Sequence, residues 1–264
     1  MRSLLRLHAR IWLRTASMAM QAQLTYRLGS FGFLLGKMIR LLFFFAFVMA
    51  VFNHVSTVAG YSLVETALFF LTFNVVDMIA QIFFRGVYGA RRTVTEGDFD
   101  FYLVQPCSPL FRMVCSSVDF LDIITLIPVL VMVAVVFARL PAMEWTRYAA
   151  YALLTLNGVA LVFAVHVIVA GLAVRTQEME NAIWIYRDVM FMGKFPVDVY
   201  AKPVRWALTF AVPIAVMTTF PAKALLGILS PAWAAYAFAL TGAAVAFALW
   251  FWRDCVRRYT SSSS

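Results

Sequence analysis

Charged residues are scarce in this chain, and their scarcity limits what kind of protein it encodes. Only 13% of its 264 residues carry a formal charge, whereas 63% are hydrophobic and the mean hydropathy is +0.84. A water-soluble domain needs more polar surface than this to stay in solution. The composition therefore excludes an ordinary soluble protein and indicates an integral membrane protein.

Residues that usually carry catalysis or bind metals are also few. The three cysteines form no CxxC pair, and the three histidines lie far apart in the sequence. No HExxH, GxSxG, GxxxxGKS or GxxxxGKT motif is present. We therefore expect a chain that is not itself an enzyme and binds no cofactor of its own. We expect its net charge of +9 to reflect the placement of basic residues at the ends of membrane spans rather than binding of nucleic acid.

Long apolar runs are what the chain has in abundance. A helix needs about 20 mostly apolar residues to cross a bilayer. Six spans are predicted, at approximately residues 36–58, 62–84, 120–138, 147–175, 180–195 and 223–253. The fifth is the least regular, because it contains Arg187, Asp188 and Lys194.

Residues 197–229 form a second kind of apolar segment. Pro203, Pro213 and Pro221 interrupt it, so it cannot continue as one straight helix. Irregular backbone is tolerated at membrane depth where protein or a water-filled cavity covers it. We predict a re-entrant or interfacial helical hairpin on the extracytoplasmic side, before the last span.

The first 28 residues predict an amphipathic helix on the membrane surface. Arginines recur every four residues, at positions 2, 6, 10 and 14, and apolar residues occupy another side. The predicted fold is therefore an all-α integral membrane protein, a single transmembrane domain over residues 1–264. An amphipathic helix begins it and six transmembrane helices follow.

The distribution of basic residues predicts the orientation. With the N-terminus inside, thirteen basic residues fall in the inner segments and five in the outer ones. Both termini are then cytoplasmic, in a multi-pass protein of a bacterial cytoplasmic membrane. Residues 85–115 become the longest internal cytoplasmic connection.

This connection contains a compact charged and aromatic stretch. Its centre, EGDFDFYLVQP, alternates acids with aromatic residues and ends at Pro106. Acids near the start suit a helix dipole, so a short helix is predicted. Two interpretations stay open on physical grounds: a surface helix packed on its own protein, or a docking element for a cytoplasmic partner.

The order of motifs along the chain resembles the membrane subunits of type-2 ABC exporters, the ABC-2 permeases. The motifs are EGDFDFYLVQPCSPLF at 96–111, FPVDVY at 195–200, VPIA at 212–215 and FPAKALLG at 220–227. The resemblance covers nearly the whole chain. It implies half of a dimeric translocation pathway, paired with the same chain or a paralogous permease.

The resemblance also implies how such a pathway is driven. A separate ATPase subunit, which binds ATP and Mg, would dock on the helix in the 85–115 loop, so this loop would be the coupling element. The candidate ATPase-coupling residues are Glu96, Gly97, Asp98, Phe99, Asp100, Tyr102 and Leu103. The resemblance implies export across the lipid bilayer. Spans rich in aromatic residues and poor in charge suit a small amphipathic or hydrophobic compound as the substrate.

Polar residues inside the predicted spans are the remaining candidates for a functional site. Asn74, Asp77 and Gln81 fall at i, i+3 and i+7, on one face of the second span. His166 lies in the fourth span, and Arg187 and Asp188 lie in the fifth. Ionisable groups within a membrane are candidates for a transport pathway. For His166 and for the face with Asp77, hydrogen bonding between helices is the favoured interpretation and substrate contact the alternative, and Arg187 and Asp188 are expected to pair with other helices.

An ATP-independent secondary carrier or channel is the alternative function. Such proteins are built from internal repeats that carry broken helices at matching positions. This sequence has one broken segment, in its C-terminal half, and no counterpart in the first half. The pattern therefore favours the exporter permease.

Overall fold

A computed structural model describes residues 2–176 and 182–260, with side chains from residue 6 onward. Within these residues the regular structure is helical, apart from an isolated bridge between Val58 and Tyr61. The α-helices are α1 (Arg2–Thr25), α2 (Arg27–Phe52), α3 (Leu63–Phe84), α4 (Ala90–Thr95), α5 (Asp98–Val104), α6 (Pro109–Val114), α7 (Phe120–Arg139), α8 (Trp145–Thr176), α9 (Ala182–Met190), α10 (Lys202–Trp206), α11 (Phe220–Leu225) and α12 (Pro231–Arg257). Short 3₁₀ turns occur at Arg85–Gly89, Phe191–Lys194 and Val197–Val199, and π-turns at Ala207–Ala211 and Ala215–Thr219.

Five of these helices, α2, α3, α7, α8 and α12, are long and apolar enough to cross a membrane. Three of them, α3, α7 and α12, begin with a side-chain cap. The Ser62 hydroxyl accepts a hydrogen bond from the Glu65 amide, and the Glu65 carboxylate accepts one from the Ser62 amide at 2.8 Å. Ser230, followed by Pro231, starts α12 in the same manner. The prediction of an all-α membrane protein is confirmed.

The helices α8 and α12 form the most extensive helix pair, and they run parallel. The Asn157 amide donates to the Ala237 carbonyl at 3.3 Å, and Arg175 lies 3.8 Å from Asp254. The partners are 80 and 79 positions apart, so the offset is constant along the pair. Two parallel spans require the chain to return across the membrane between them.

Residues 182–198 make this return alongside α3. Near its start, Trp184 packs edge-on against Tyr88, just beyond the C-terminus of α3, with ring centroids 5.1 Å apart. Near its end, the hydroxyl of Tyr61, just before α3, donates to Asp198 at 3.0 Å. The segment therefore runs antiparallel to α3 over a rise of about 30 Å, the thickness of a hydrocarbon core.

The fifth predicted span differs from the expectation in its internal structure. Residue 180, where it was expected to begin, lies outside the described residues. The described part is not one helix: α9 ends at Met190, and a 3₁₀ turn and extended backbone at Phe195 follow. A 3₁₀ helix rises more per residue than an α-helix, and Pro196 ends the helical backbone. A short stretch of helix is therefore enough for this segment to cross the membrane.

The proline-broken segment forms a bent hairpin. Its two arms, Lys202–Ala211 and Ala215–Leu225, meet at 84°. Asp198 lies 3.7 Å from Arg205, at the start of the first arm, and 2.6 Å from Lys223, near the end of the second. Because one carboxylate reaches both arms at their outer ends, the hairpin enters and leaves on the same side. It is therefore re-entrant and adds no crossing.

The hairpin packs closely against α8 because Gly158 has no side chain, so the backbone of α8 can contact the hairpin backbone at Met217. A Cβ atom at Gly158 would collide with the carbonyl oxygen of Met217. Ile214, at the bend, and Met217, on the second arm, are fully buried. Protein therefore covers the irregular backbone at depth, as an apolar environment demands.

Candidate functional site

The helix α5 in the connecting loop owes its position to a glycine and a short acidic turn. Gly97 adopts φ +81°, a left-handed conformation that favours glycine, and the helix begins directly after it. Asp98 and Asp100 occupy the first turn, where their charge complements the helix dipole. At Gln105 the backbone becomes extended, and Pro106 follows.

One face of α5 is locked into the chain's own core. Phe99 is fully buried, and its ring packs edge-on against Trp252 of α12, with centroids 6.0 Å apart, and against Tyr259 at 5.0 Å. Val94 and Met113, from α4 and α6, belong to the same cluster as the buried residues of α8. We call this cluster the inner knot. Phe99 therefore anchors α5 rather than offering its ring to a partner.

The opposite face of α5 is exposed and mostly apolar. Phe101 is 65% exposed and Val104 is 81% exposed, and the exposed Asp98 lies beside them; Leu103, four residues after Phe99, reaches the surface on the other side of the helix. Tyr102 is covered by the Arg112 guanidinium, 5.1 Å from its ring centroid. Phe101 and Val104 were not among the predicted coupling residues. Helical spacing would have placed Phe101 about 200° from Phe99, but nothing in the sequence says which face is buried.

The remaining predicted coupling residues lie beside this exposed face. Glu96 is exposed and pairs with Arg92 at 2.9 Å, as an i,i+4 surface pair. Among the thiols of the loop, burial raises the pKa of Cys115 to about 12. A neutral thiol is a poor nucleophile, so the loop surface offers contact area rather than reactive chemistry.

A cavity of about 700 Å³ opens between α2, α3 and α9, near the ends where α2 begins and α3 finishes. Its apolar lining includes Phe33, Met78, Trp184 and Phe191, and its charged lining comes from four helices. Along α2 the wall is made by glycines, which keep it wide; the lining glycines are Gly29, Gly32 and Gly36. A Cβ atom at any of the three would find no neighbour within 4 Å.

A compact ion-pair group closes one side of this cavity. Lys37 of α2 lies 2.8 Å from Asp122 and 3.1 Å from Asp119, at the start of α7. Arg85, at the end of α3, lies 3.6 Å from Asp119. The two cations and two carboxylates balance one another, so this group ties three helices together without leaving net charge.

Asp77 and Asn74 line the deeper part of the cavity. The Asn74 amide donates to the Phe70 carbonyl of its own helix at 2.7 Å. Asp77 faces positive charge from three directions, namely Arg187, Arg40 and Lys194. No carboxylate of residues 6–176 and 182–260 lies within 4 Å of any of these cations.

Aromatic rings hold two of these cations instead. Arg187 donates to the Tyr88 hydroxyl at 3.2 Å and lies 5.7 Å from the Phe191 ring centroid. Lys194 lies 4.4 Å from the same Phe191 ring. Ring contacts attract a cation without cancelling its charge. The deep part of the cavity therefore remains positive.

Gln81 and His166 lie behind this wall rather than on it. The Gln81 amide donates to the Tyr88 hydroxyl at 2.9 Å and accepts from Arg85 at 2.8 Å. His166 bonds the Val162 carbonyl of its own helix at 2.8 Å, not a neighbouring helix as the packing interpretation expected. Its Nε2 atom is buried without a partner in the described part of the chain.

Asp188 lies apart from the other polar residues. It is exposed on α9 and lines neither the large cavity nor the small one that Asp77, Gln81 and His166 share. In the described ranges no three His, Cys, Asp or Glu side chains come together as metal ligands would. Among the predicted intramembrane residues, the structure thus brings Asn74, Asp77 and Arg187 to one cavity.

Long apolar helices beside a charged open cavity define a multi-pass helical membrane protein. The sequence model of the family described as ABC-2 family transporter protein matches residues 37–263, so this chain belongs to that family. It is therefore a permease component of an ABC transporter, a membrane transport subunit. No curated protein and no solved structure matches the chain.

Proposed function

We propose that the chain is half of a dimeric exporter that a separate ATPase subunit drives through α5. ATP and Mg are bound by that partner, and ATP-driven closure of the ATPase pair moves α5. The second half of the pathway is another copy of this chain or a paralogous permease. Both termini face the cytoplasm of a bacterium, and transport runs outward.

The observation that carries this proposal is the two-sided character of α5. Its exposed face, with Phe101 and Val104, provides an apolar patch beside the acid Asp98, the composition of a docking surface. Its buried face, through Phe99, is fixed to the inner knot. A displacement applied to the first face is therefore transmitted to α8 and α12 as rigid-body motion.

The orientation rests on charge. The basic residues near span ends gather on the side of α5, thirteen against five. Six crossings, counted with residues 182–198, bring both ends of the chain to that side. The exposed apolar residues of α2, such as Phe43 and Phe47, suit a lipid or permease neighbour.

Paired substitutions on the two faces of α5 test the coupling. Phe101→Ala removes exposed area, so we expect unchanged thermal stability but at least a tenfold loss of ATPase co-purification, about 1.4 kcal/mol of binding. Phe99→Ala empties a buried site and should lower stability by about 3–5 kcal/mol. The measurements are pull-down of the ATPase and unfolding monitored by size-exclusion chromatography.

An exposed apolar residue remote from α5 provides the control. Trp145 is 77% exposed at the start of α8, and Trp145→Ala should leave ATPase binding unchanged. Full ATPase binding by Phe101→Ala, together with ATP-dependent transport, would remove α5 from the coupling role. Transport that persists in vesicles without any ATPase would instead favour a secondary carrier or channel.

A further inference from the structure

We infer that the cavity between α2, α3 and α9 binds an amphiphile that carries an anionic headgroup, a phosphate or a carboxylate. The inference rests on the proposed transport function, since it assigns the substrate class of that pathway. The expected substrate was an amphipathic or hydrophobic compound, and this inference restricts it to amphiphiles with a negatively charged headgroup.

The charges of the cavity support this headgroup. Lys37 and Arg85 are balanced by Asp119 and Asp122 at ion-pair distances. Deeper in, the remaining cations Arg40, Arg187 and Lys194 have one further carboxylate among them, that of Asp77; Asp122 also acts on Arg187 but is already paired with Lys37. Two positive charges are left over. Arg187 and Lys194 are half-buried and Arg40 is exposed, and an anionic ligand in the cavity would neutralise this excess charge.

The geometry leaves these cations available. Arg187 and Lys194 are positioned by Tyr88 and Phe191, whose rings fix their direction but leave their charge uncancelled. Arg187 lines the large cavity, and Lys194 lines a narrower one that shares Arg40 and Asp77 with it. The cations therefore converge from α2, α9 and the turn after α9 on one region.

The apolar lining accounts for the rest of the ligand. Phe33, Met78 and Trp184 provide apolar contacts around a space of about 700 Å³, within the size range of small-molecule sites. The glycine wall of α2 supplies the width. A leucine at Gly36 would project into space that no neighbour now occupies.

Tryptophan quenching provides a local test. The full chain, with every subunit that co-purifies, is placed in phosphatidylcholine nanodiscs and titrated with ω-bromododecyl phosphate. A matched probe, ω-bromododecyl trimethylammonium, has the same chain and the opposite charge. The signal of Trp184 is the quenching lost in Trp184→Phe. We expect saturable quenching of Trp184 by the phosphate probe and none by the cationic one.

Variants assign the binding to named groups. Arg187→Gln and Arg40→Gln should each weaken the apparent affinity about tenfold, the effect of one charge-assisted hydrogen bond. Gly36→Leu should abolish saturation by filling the cavity. Arg139→Gln, an exposed arginine at the far end of α7, is the charge-matched control and should bind as the unmodified chain does.

The outcomes separate this inference from the proposed function. Equal binding of both probes, an equal loss in Arg139→Gln, or no quenching assigned to Trp184 would overturn the anionic site, whether or not an ATPase co-purifies. Nanodiscs that contain phosphatidylglycerol identify the source of the headgroup. Competition by this lipid would assign the site to lipid headgroups, and absence of competition to non-lipid amphiphiles; both results support the anionic chemistry.

Discussion

The helices α8 and α2 are both long enough to span a membrane, yet the protein holds them in different ways. Fifteen residues of α8 are buried, whereas only Leu41 and Val48 of α2 are. The helix α8 is surrounded by α3, α12 and the hairpin. The helix α2 has a smaller set of contacts: Leu41 and Phe44 pack in a cluster with Phe70 of α3, and Lys37 pairs with two carboxylates of α7.

This difference shows what holds a helix when its surroundings are apolar. Lipid tails cost α2 nothing to contact, so apolar area alone gives it no reason to associate. Close backbone approach supports α8, and an ion pair supports α2. One half of the molecule is thus a packed scaffold, and the other is a wall of the cavity that a polar tie keeps in place.

The largest expected effect comes from breaking the packed half at its closest approach. Gly158→Leu places a side chain where the Met217 carbonyl now lies. Backbone at that position cannot yield as a side chain can, so we expect a loss of at least about 3 kcal/mol and little folded protein by size-exclusion chromatography.

Gly242→Leu on α12 is the matched control, since no atom lies within 4 Å of its would-be Cβ. It should be neutral or slightly stabilising, because glycine is a poor helix former. Equal stability of the two variants would contradict the close packing of α8 against the hairpin.

The second effect comes from cutting the tie that holds α2. Lys37→Gln leaves Asp119 and Asp122 side by side without their common cation, and both side chains are largely buried. We expect a loss of about 2–3 kcal/mol, less than for a fully buried pair because some solvent reaches the group. Amide hydrogen exchange should rise in α2 and stay unchanged in α8.

Lys202 is an exposed lysine of the hairpin, and Lys202→Gln is the control. It should change neither the free energy of unfolding nor the amide hydrogen exchange of α2. Exchange that rises equally in α2 and α8 would show that the two halves open together, and the contrast between them would then disappear.

The smallest effect tests a polar contact within the scaffold. Burial and the Asp198 carboxylate raise the pKa of Tyr61, whose hydroxyl donates to that carboxylate. Tyr61→Phe should cost about 1 kcal/mol at neutral pH. Above about pH 10 Tyr61 ionises in the unfolded chain but stays neutral in the folded one, so the parent chain loses stability. The difference in stability between the parent chain and Tyr61→Phe therefore narrows.

Thermal unfolding of both chains between neutral and alkaline pH measures that gap. A gap that widened with rising pH would mean that the folded state favours the tyrosinate, contrary to its position beside a carboxylate.

The sequence predicted the long spans well because each is encoded locally. An uninterrupted apolar run of about 20 residues has few other structures available. The hairpin was also predictable, since Pro203, Pro213 and Pro221 rule out a straight helix. The polar face of Asn74 and Asp77 follows from helical spacing alone.

The contacts between distant segments were not predictable in this way. Lys37 finds Asp119 and Asp122 across 82 and 85 positions, and Asp198 finds Tyr61 across 137. The burial of Phe99 is a further case, since a helix of seven residues with aromatic residues on both sides does not reveal its inner face. The fifth crossing was recognised, but its 3₁₀ turn depends on tertiary packing.

That fifth crossing has a consequence for how the chain is inserted. It contains Arg187, Asp188 and Lys194, each of which costs about 2.5–3.5 kcal/mol when placed alone at the centre of a membrane helix. Such a segment is costly to place in lipid by itself, and in the folded chain it lies against α3 and α8. The parallel arrangement of α8 and α12 thus depends on the crossing that carries the most charge.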